Sequence, residues 1–320
     1  MCDVIVAGGS YVRYCVLMRV VWSLLSATFG DWYADRAQRM GAALAYYTIF
    51  ALTPGLVLVM ALAGLLLGPG AESQIIEQIH DLIGEQGAKA IEATVRSARA
   101  TPPGTPEMAL ALVTLVLGLW GVFGELQDGL NTIWGVTPRP GRRVRDIVKE
   151  RFWSFAMVVG TGFLLLVSLV VTAWLAAVGT YVSYLLPAPA LALEALNSVI
   201  SLAVITVAFA LIFKLLPDVT IAWRDVWLGA AVTSLLFTVG KFLIGLYLGK
   251  SAVASAYGAA GSLVIIVVWV YYTAQILLFG AEFTKVWTKR RGSGFKVEKT
   301  AKAVTAEARA EQGLRPKRKA

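Results

Sequence analysis

Residues 152–193 run for 42 positions without one charged side chain. About 20 apolar residues suffice for a helix to cross a hydrocarbon core roughly 30 Å thick. The run is therefore too long for one helix, and Pro187 and Pro189 mark where a span has ended and a turn begins. The rest of the chain agrees. Only 15% of its 320 residues are charged and 58% are hydrophobic, whereas soluble domains average about 25% charged. The sequence is that of an integral membrane protein.

Measured against bilayer thickness, the apolar runs predict an all-α, polytopic protein with six spans. They fall at about 41–67, 108–130, 152–178, 195–216, 226–248 and 258–284. Lysine and arginine set the orientation, because positive loops stay cytoplasmic. Placing residues 1–40, 135–151, 214–225 and the tail from Lys285 on one side puts 24 of the 29 bases there. Both termini are thus expected on the cytoplasmic side. The chain divides into an N-terminal segment 1–40, a membrane domain 41–286 and a basic, disordered tail 287–320.

The external loop 68–106 carries Ile75, Ile76, Ile79, Leu82, Ile83, Ile91 and Val95 at helical spacing, with five acids against three bases. It reads as amphipathic helix over the outer mouth of the bundle. Val16, Leu17, Val20, Val21, Leu24, Leu25 and Phe29 also fall on one helical side. They predict either an interfacial helix or an entry helix packed on the bundle. Nothing before Met18 reads as structured, which makes Met18 an alternative start to Met1. The tail from residue 289 holds eleven bases and three acids; anionic lipid headgroups are its expected partner rather than nucleic acid.

Several polar residues fall where an apolar span does not need them. Lys241 interrupts the fifth span and either snorkels to the outer interface or lines a polar cavity. In the sixth span, Trp269, Tyr272 and Gln275 lie near the centre, far from the interfacial belts where aromatic amphipathic residues gather. Gly258 and Ser262, four apart, suit close approach of a neighbouring helix. Tyr247 and Asn131 join Lys241, Trp269, Tyr272 and Gln275 as a candidate interior path. Glu125 and Asp128, three apart on one face, form with Asp218, Arg224 and Glu282 a candidate charged network at the cytoplasmic side. Pairing of Glu125 and Asp128 with the neighbouring PRPGRRVRDIVKER, and of Glu282 with Lys285, are the simpler alternatives. Pro54 and Pro217 are candidate helix breaks.

Four stretches in order, RMGAALAYYTIFALTPGLVLV (39–59), GELQDGLNTIWGV (124–136), FKLLPDVTIAWRDVWLGA (213–230) and KFLIGLYLGKSAVASAYGAAGSLVIIVVWVYYTAQILLFGAEF (241–283), resemble the YihY/virulence factor BrkB family of inner-membrane proteins. That family was long labelled ribonuclease BN. The resemblance covers roughly residues 20–290 and implies a six-span protein handling lipids or other envelope amphiphiles. It transfers no catalytic residue.

The ribonuclease label fits the chemistry poorly, and the chain is not expected to be an enzyme. RNA hydrolysis requires a general acid and base or a metal cluster. The single histidine, His80, lies in the external loop, and no Cys/His spacing offers a metal site. No metal or cofactor is expected. No GxxxxGK[ST] motif is present for ATP. The expectation is a transporter or flippase of an amphiphilic, anionic, lipid-like envelope molecule without its own ATPase. The alternative is a scaffold that recruits envelope proteins through the external loop or the tail. Membrane lipids and a homo-oligomer or envelope protein complete the expected partners.

Overall fold

The computed structural model describes residues 9–67, 106–139, 190–250 and 261–315, together with positions 76, 89, 92 and 96. Six long helices and short elements near their ends account for most of these. In chain order they are α1 (Gly9–Ala34), α2 (Ala37–Leu67), α3 (Pro106–Trp134), β1 (Val136–Pro138), α4 (Ala190–Leu215), β2 (Val219–Ile221), α5 (Trp223–Lys250), α6 (Gly261–Arg290), β3 (Phe295–Val297), β4 (Ala301–Ala303) and α7 (Ala306–Glu311). Among the described residues, three stretches are long and apolar enough to cross a membrane: Ser198–Leu215, Trp223–Tyr247 and Leu263–Arg290. The expected span at 152–178 lies outside the described residues, as do most of loop 68–106 and Gly258.

Small residues let the helices approach. A Cβ on Gly118 of α3 would sit 2.8 Å from the backbone nitrogen of Ala51 on α2, closer than real Cβ atoms come. Between α5 and α6 the sockets are reciprocal: Gly229 makes room for Thr284, and Gly280 for Thr233. Each threonine hydroxyl bonds back to the carbonyl four residues earlier on its own helix, so no polar atom is stranded at the contact. α4 joins through Thr206 and Ser234, whose hydroxyls lie 2.7 Å apart, and through Phe209 against Phe237. These are the small-residue and hydroxyl contacts expected where lipid replaces water.

Four elements differ from the sequence reading. α2 runs unbroken through Pro54. A proline removes only one helix hydrogen bond, and thirty neighbouring helical residues carry the chain past it. Pro217, in contrast, lies after α4 has ended, in the bend Leu216–Asp218. The helix before Met18 is formed from Gly9 onward, so the segment expected to be unstructured is helical there. The tail is not disordered: residues 291–315 fold back across the helix ends. β4 pairs antiparallel with β1 (Thr137 opposite Lys302), and β3 with β2 (Thr220 opposite Lys296). Charge misled the reading. Lys296 and Lys302 point to the exposed side, while Ala301 is 1% exposed and Phe295 packs its ring on Trp134 at 4.9 Å.

The core is densest where these strands meet the helices, around Leu130, Ile133, Phe213, Ile221, Val226 and Leu278. This is called the basic end below. The C-terminal half of α1 packs antiparallel on the last turns of α6, with Leu24 against Phe283 and Val286. Met18, Trp22 and Phe29 on its other side remain exposed.

Candidate functional site

A cluster of buried ions ties α1, α6 and α7 together. The Lys285 ammonium, 1% exposed at the side chain, pairs with Glu282 on its own helix. It lies 3.0 Å from Asp31 on α1 and 3.8 Å from Asp35, just past the end of that helix. Arg309 of α7 donates to the other Asp35 oxygen. The two aspartates fall four residues apart, which is why one lysine can reach both. Counted at formal charge, three carboxylates face two cations.

A second knot holds the bend after α4. The Asn131 amide donates to Asp218 Oδ2 at 3.0 Å, and its carbonyl oxygen accepts from the Asp218 backbone N–H at 2.9 Å. Gln127 donates to Asp218 Oδ1 at 3.4 Å. Both partners are buried, so the pair fixes the turn rather than presenting a reactive carboxylate. Asp225, in the first turn of α5, accepts from the backbone N–H of Ser293 at 2.8 Å and pins the start of the tail.

Between α1, α5 and α6 lies a groove of about 340 Å³. Phe29 and Trp32 form one wall, Leu236, Val239, Gly240 and Leu243 another, and Tyr272, Gln275, Ile276 and Phe279 the base. The surface it presents is almost wholly apolar. Gly240 leaves space for the Tyr272 hydroxyl, and Gly41 for the Gln275 amide, whose nitrogen donates to Ala37 O at 3.4 Å. A smaller polar hollow of about 260 Å³ lies at the basic end among Asp128, Asn131, Thr132, Thr137, Arg309 and Gln312.

The candidate interior path is only partly assembled. Tyr272 and Gln275 share the groove. Trp269 lies one turn away, packed edge-on against Phe237 at 6.0 Å. Asn131 belongs to the Asp218 knot at the basic end. Lys241 is half-buried on α5 beside the groove without lining it, and Tyr247 is 61% exposed. Ser262 lies in the first turn of α6.

The candidate charged network is not one network. Glu282 is in the ion cluster and Asp218 in the bend knot, while Asp128 and Arg224 are exposed and Glu125 is half-buried. Sequence reasoning missed Asp31, Asp35, Lys285 and Arg309 as a unit. The spacing of Asp31 and Asp35 hints at a shared partner; nothing in the sequence marks Arg309. Among the described residues, no group of acids, histidines and cysteines has the grouping of a metal site.

The sequence model described as virulence factor BrkB matches residues 28–305. A UPF0761 membrane protein of Pseudomonas aeruginosa is 27% identical over 277 residues, covering 80% of this chain and 62% of its own length. One of Verminephrobacter eiseniae is 26% identical over 275 residues, covering 84% and 63%. One of Ralstonia nicotianae is 29% identical over 174 residues, covering 54% and 38%. The chain thus spans at most about 63% of the length of these relatives. No solved structure matches it.

Proposed function

The chain belongs to the virulence factor BrkB family of membrane proteins, and from that premise we propose that it moves an amphiphilic, lipid-like molecule between the leaflets of the bacterial inner membrane. The observation that carries this reading is the groove between α1, α5 and α6. Its apolar lining suits an alkyl or isoprenoid chain, and its exposed wall residues Phe29, Val239 and Leu243 leave it open sideways. Arg36, one turn beyond Trp32, and Lys289 and Arg290 at the end of α6 are exposed. They supply cations for an anionic headgroup.

In this reading the chain has six spans with both ends cytoplasmic, so the groove lies at mid-membrane depth with its basic end toward the inner leaflet. Movement follows a gradient or a partner's work, in keeping with the lack of an ATP-binding motif. The rival scaffold reading has less support, because the basic tail through Arg315 is engaged by the bundle.

The test is transbilayer movement of fluorescent anionic phospholipid in proteoliposomes, read by dithionite quenching. Val239→Trp and Leu243→Trp fill the groove from exposed positions without touching the core. Both are expected to slow movement at least tenfold with the melting temperature unchanged. Parent protein that moves no lipid, or tryptophan variants as fast as the parent, would overturn the reading.

A further inference from the structure

The α1–α2 corner is strained and is held from outside. Arg36 has φ 55°, in the left-handed region that a side chain disfavours. Four contacts from the end of the tail converge on it. Arg309 pairs with Asp35, and its Nε donates to Arg315 O at 3.0 Å. The Arg315 N–H donates to Ala34 O at 3.3 Å. The Arg315 guanidinium stacks over the Tyr33 ring at 4.8 Å, and Gly313 lies against the Arg36 guanidinium, 3.4 Å from where a Cβ would stand. All of these fall within one turn of Trp32, which walls the groove.

We propose that the tail, residues 291–315, is a latch on this corner: the Arg309–Asp35 pair holds α1 against α5 and α6, and its release swings α1 outward and widens the groove. The rest of the tail is anchored independently of α1. β4 is paired to β1, β3 to β2, and Ser293 to Asp225. Val304, whose N–H donates to Gly135 O at 2.9 Å, ends this anchored part, and the segment after it can lift while the strands stay in place. α1 itself is fastened to α6 by Leu24 against Phe283 and Val286 and by Ser23 O, which accepts from Arg290 at 3.2 Å; nearer the corner, Lys285 holds Asp31 and Asp35. The contacts at Ser23 and Leu24 precede Phe29 and Trp32 and form a natural hinge.

This inference deepens the groove reading by naming its regulation, and its test is independent of transport. Spin labels are placed at Val21→Cys on α1 and Leu235→Cys on α5, both exposed, in a background of Cys2→Ser and Cys15→Ser. Pulsed dipolar spectroscopy in nanodiscs then reads the α1–α5 distance in the full chain.

The parent is expected to give one short distance. Arg309→Gln should lower the ratio of closed to open populations by roughly ten- to hundredfold, the worth of a charge-assisted hydrogen bond. Arg309→Lys should remain mostly closed. Tyr33→Leu, at a half-exposed ring too peripheral to unfold the chain, should open partially. A longer distance without any lipid movement sustains the latch and sinks the groove's transport role. An unchanged distance in Tyr33→Leu together with an unchanged distance, or failure to accumulate, in Arg309→Gln would overturn the latch, whatever lipid does.

Discussion

Lys285→Met tests whether the ion cluster holds the basic end together. The substitution keeps an unbranched stem of similar volume and deletes one charge. In the parent, the ammonium is 3.0 Å from Asp31, 3.8 Å from Asp35 and hydrogen-bonded to Glu282. At an effective dielectric of about 20, the two longer contacts each supply roughly 4–6 kcal/mol of gross attraction. Desolvation of each buried ion takes back several kcal/mol. Removing the lysine leaves that desolvation in place for Asp35 and Glu282, whose side chains are 0% exposed. Asp31, at 20%, recovers some hydration. The expected loss is about 3–5 kcal/mol, as for other broken buried pairs.

At about 2–4 °C per kcal/mol for chains of a few hundred residues, the apparent melting temperature should fall by roughly 6–20 °C. Fluorescence-detected size exclusion after heating in detergent reads this directly. Adding Glu282→Gln, which removes one stranded carboxylate, should recover part of the loss. Lys285→Met that melts with the parent, or an unrescued double variant, would refute the argument from buried pairing.

Further expectations are measurable by the same means. Asn131→Ala removes its own two bonds to Asp218, leaving that from Gln127, and should cost about 1–3 kcal/mol, read as a lower melting temperature with insertion intact. Truncation after Ser293 deletes both strand pairings and the Arg309 anchor; it should yield aggregated protein in detergent, and a monodisperse truncated form would contradict the folded tail. For orientation, cysteines at Thr137 and Ser293 should react with an impermeant thiol reagent only after lysis, and cysteines at Ser97 and Thr105 from outside; the reverse pattern would invert the proposed topology.

The helices were legible because a bilayer writes its thickness into apolar run length. α2, α3, α5 and α6 each lie within a few residues of the predicted spans. Trp269 and Tyr272, partly buried, pack on α5 against Phe237 and Gly240. The tail was not legible, and the reason is instructive. A three-residue strand buries one or two side chains, too few to show as a hydrophobic period, and here they are an alanine and a phenylalanine among lysines. The ion cluster was hidden for a related cause. Asp35 and Arg309 are 274 residues apart, and pairing at that distance has no local signature. Of the charges that did attract attention, Asp218 and Glu282 are buried in the two clusters, while Glu125, Asp128 and Arg224 face the surface or its edge.

The bases at the basic end therefore serve two roles that a charge count merges. Counted together, they favour one orientation in the membrane. Taken singly, some are structural fasteners. Lys214, in the last turn of α4, donates to Ile221 O at the end of β2 and lies 5.6 Å over the Trp223 ring, so it closes the bend into α5. Arg139 donates to Ala301 O at 3.1 Å and joins β1 to the tail. Lys285 and Arg309 grip α1. Lys296, Lys299 and Lys302, by contrast, are exposed on the outer side of the tail. Orientation depends on the sum and tolerates loss of any one base. The fasteners depend on position, so the same unit of charge is replaceable at Lys302 and not at Lys285.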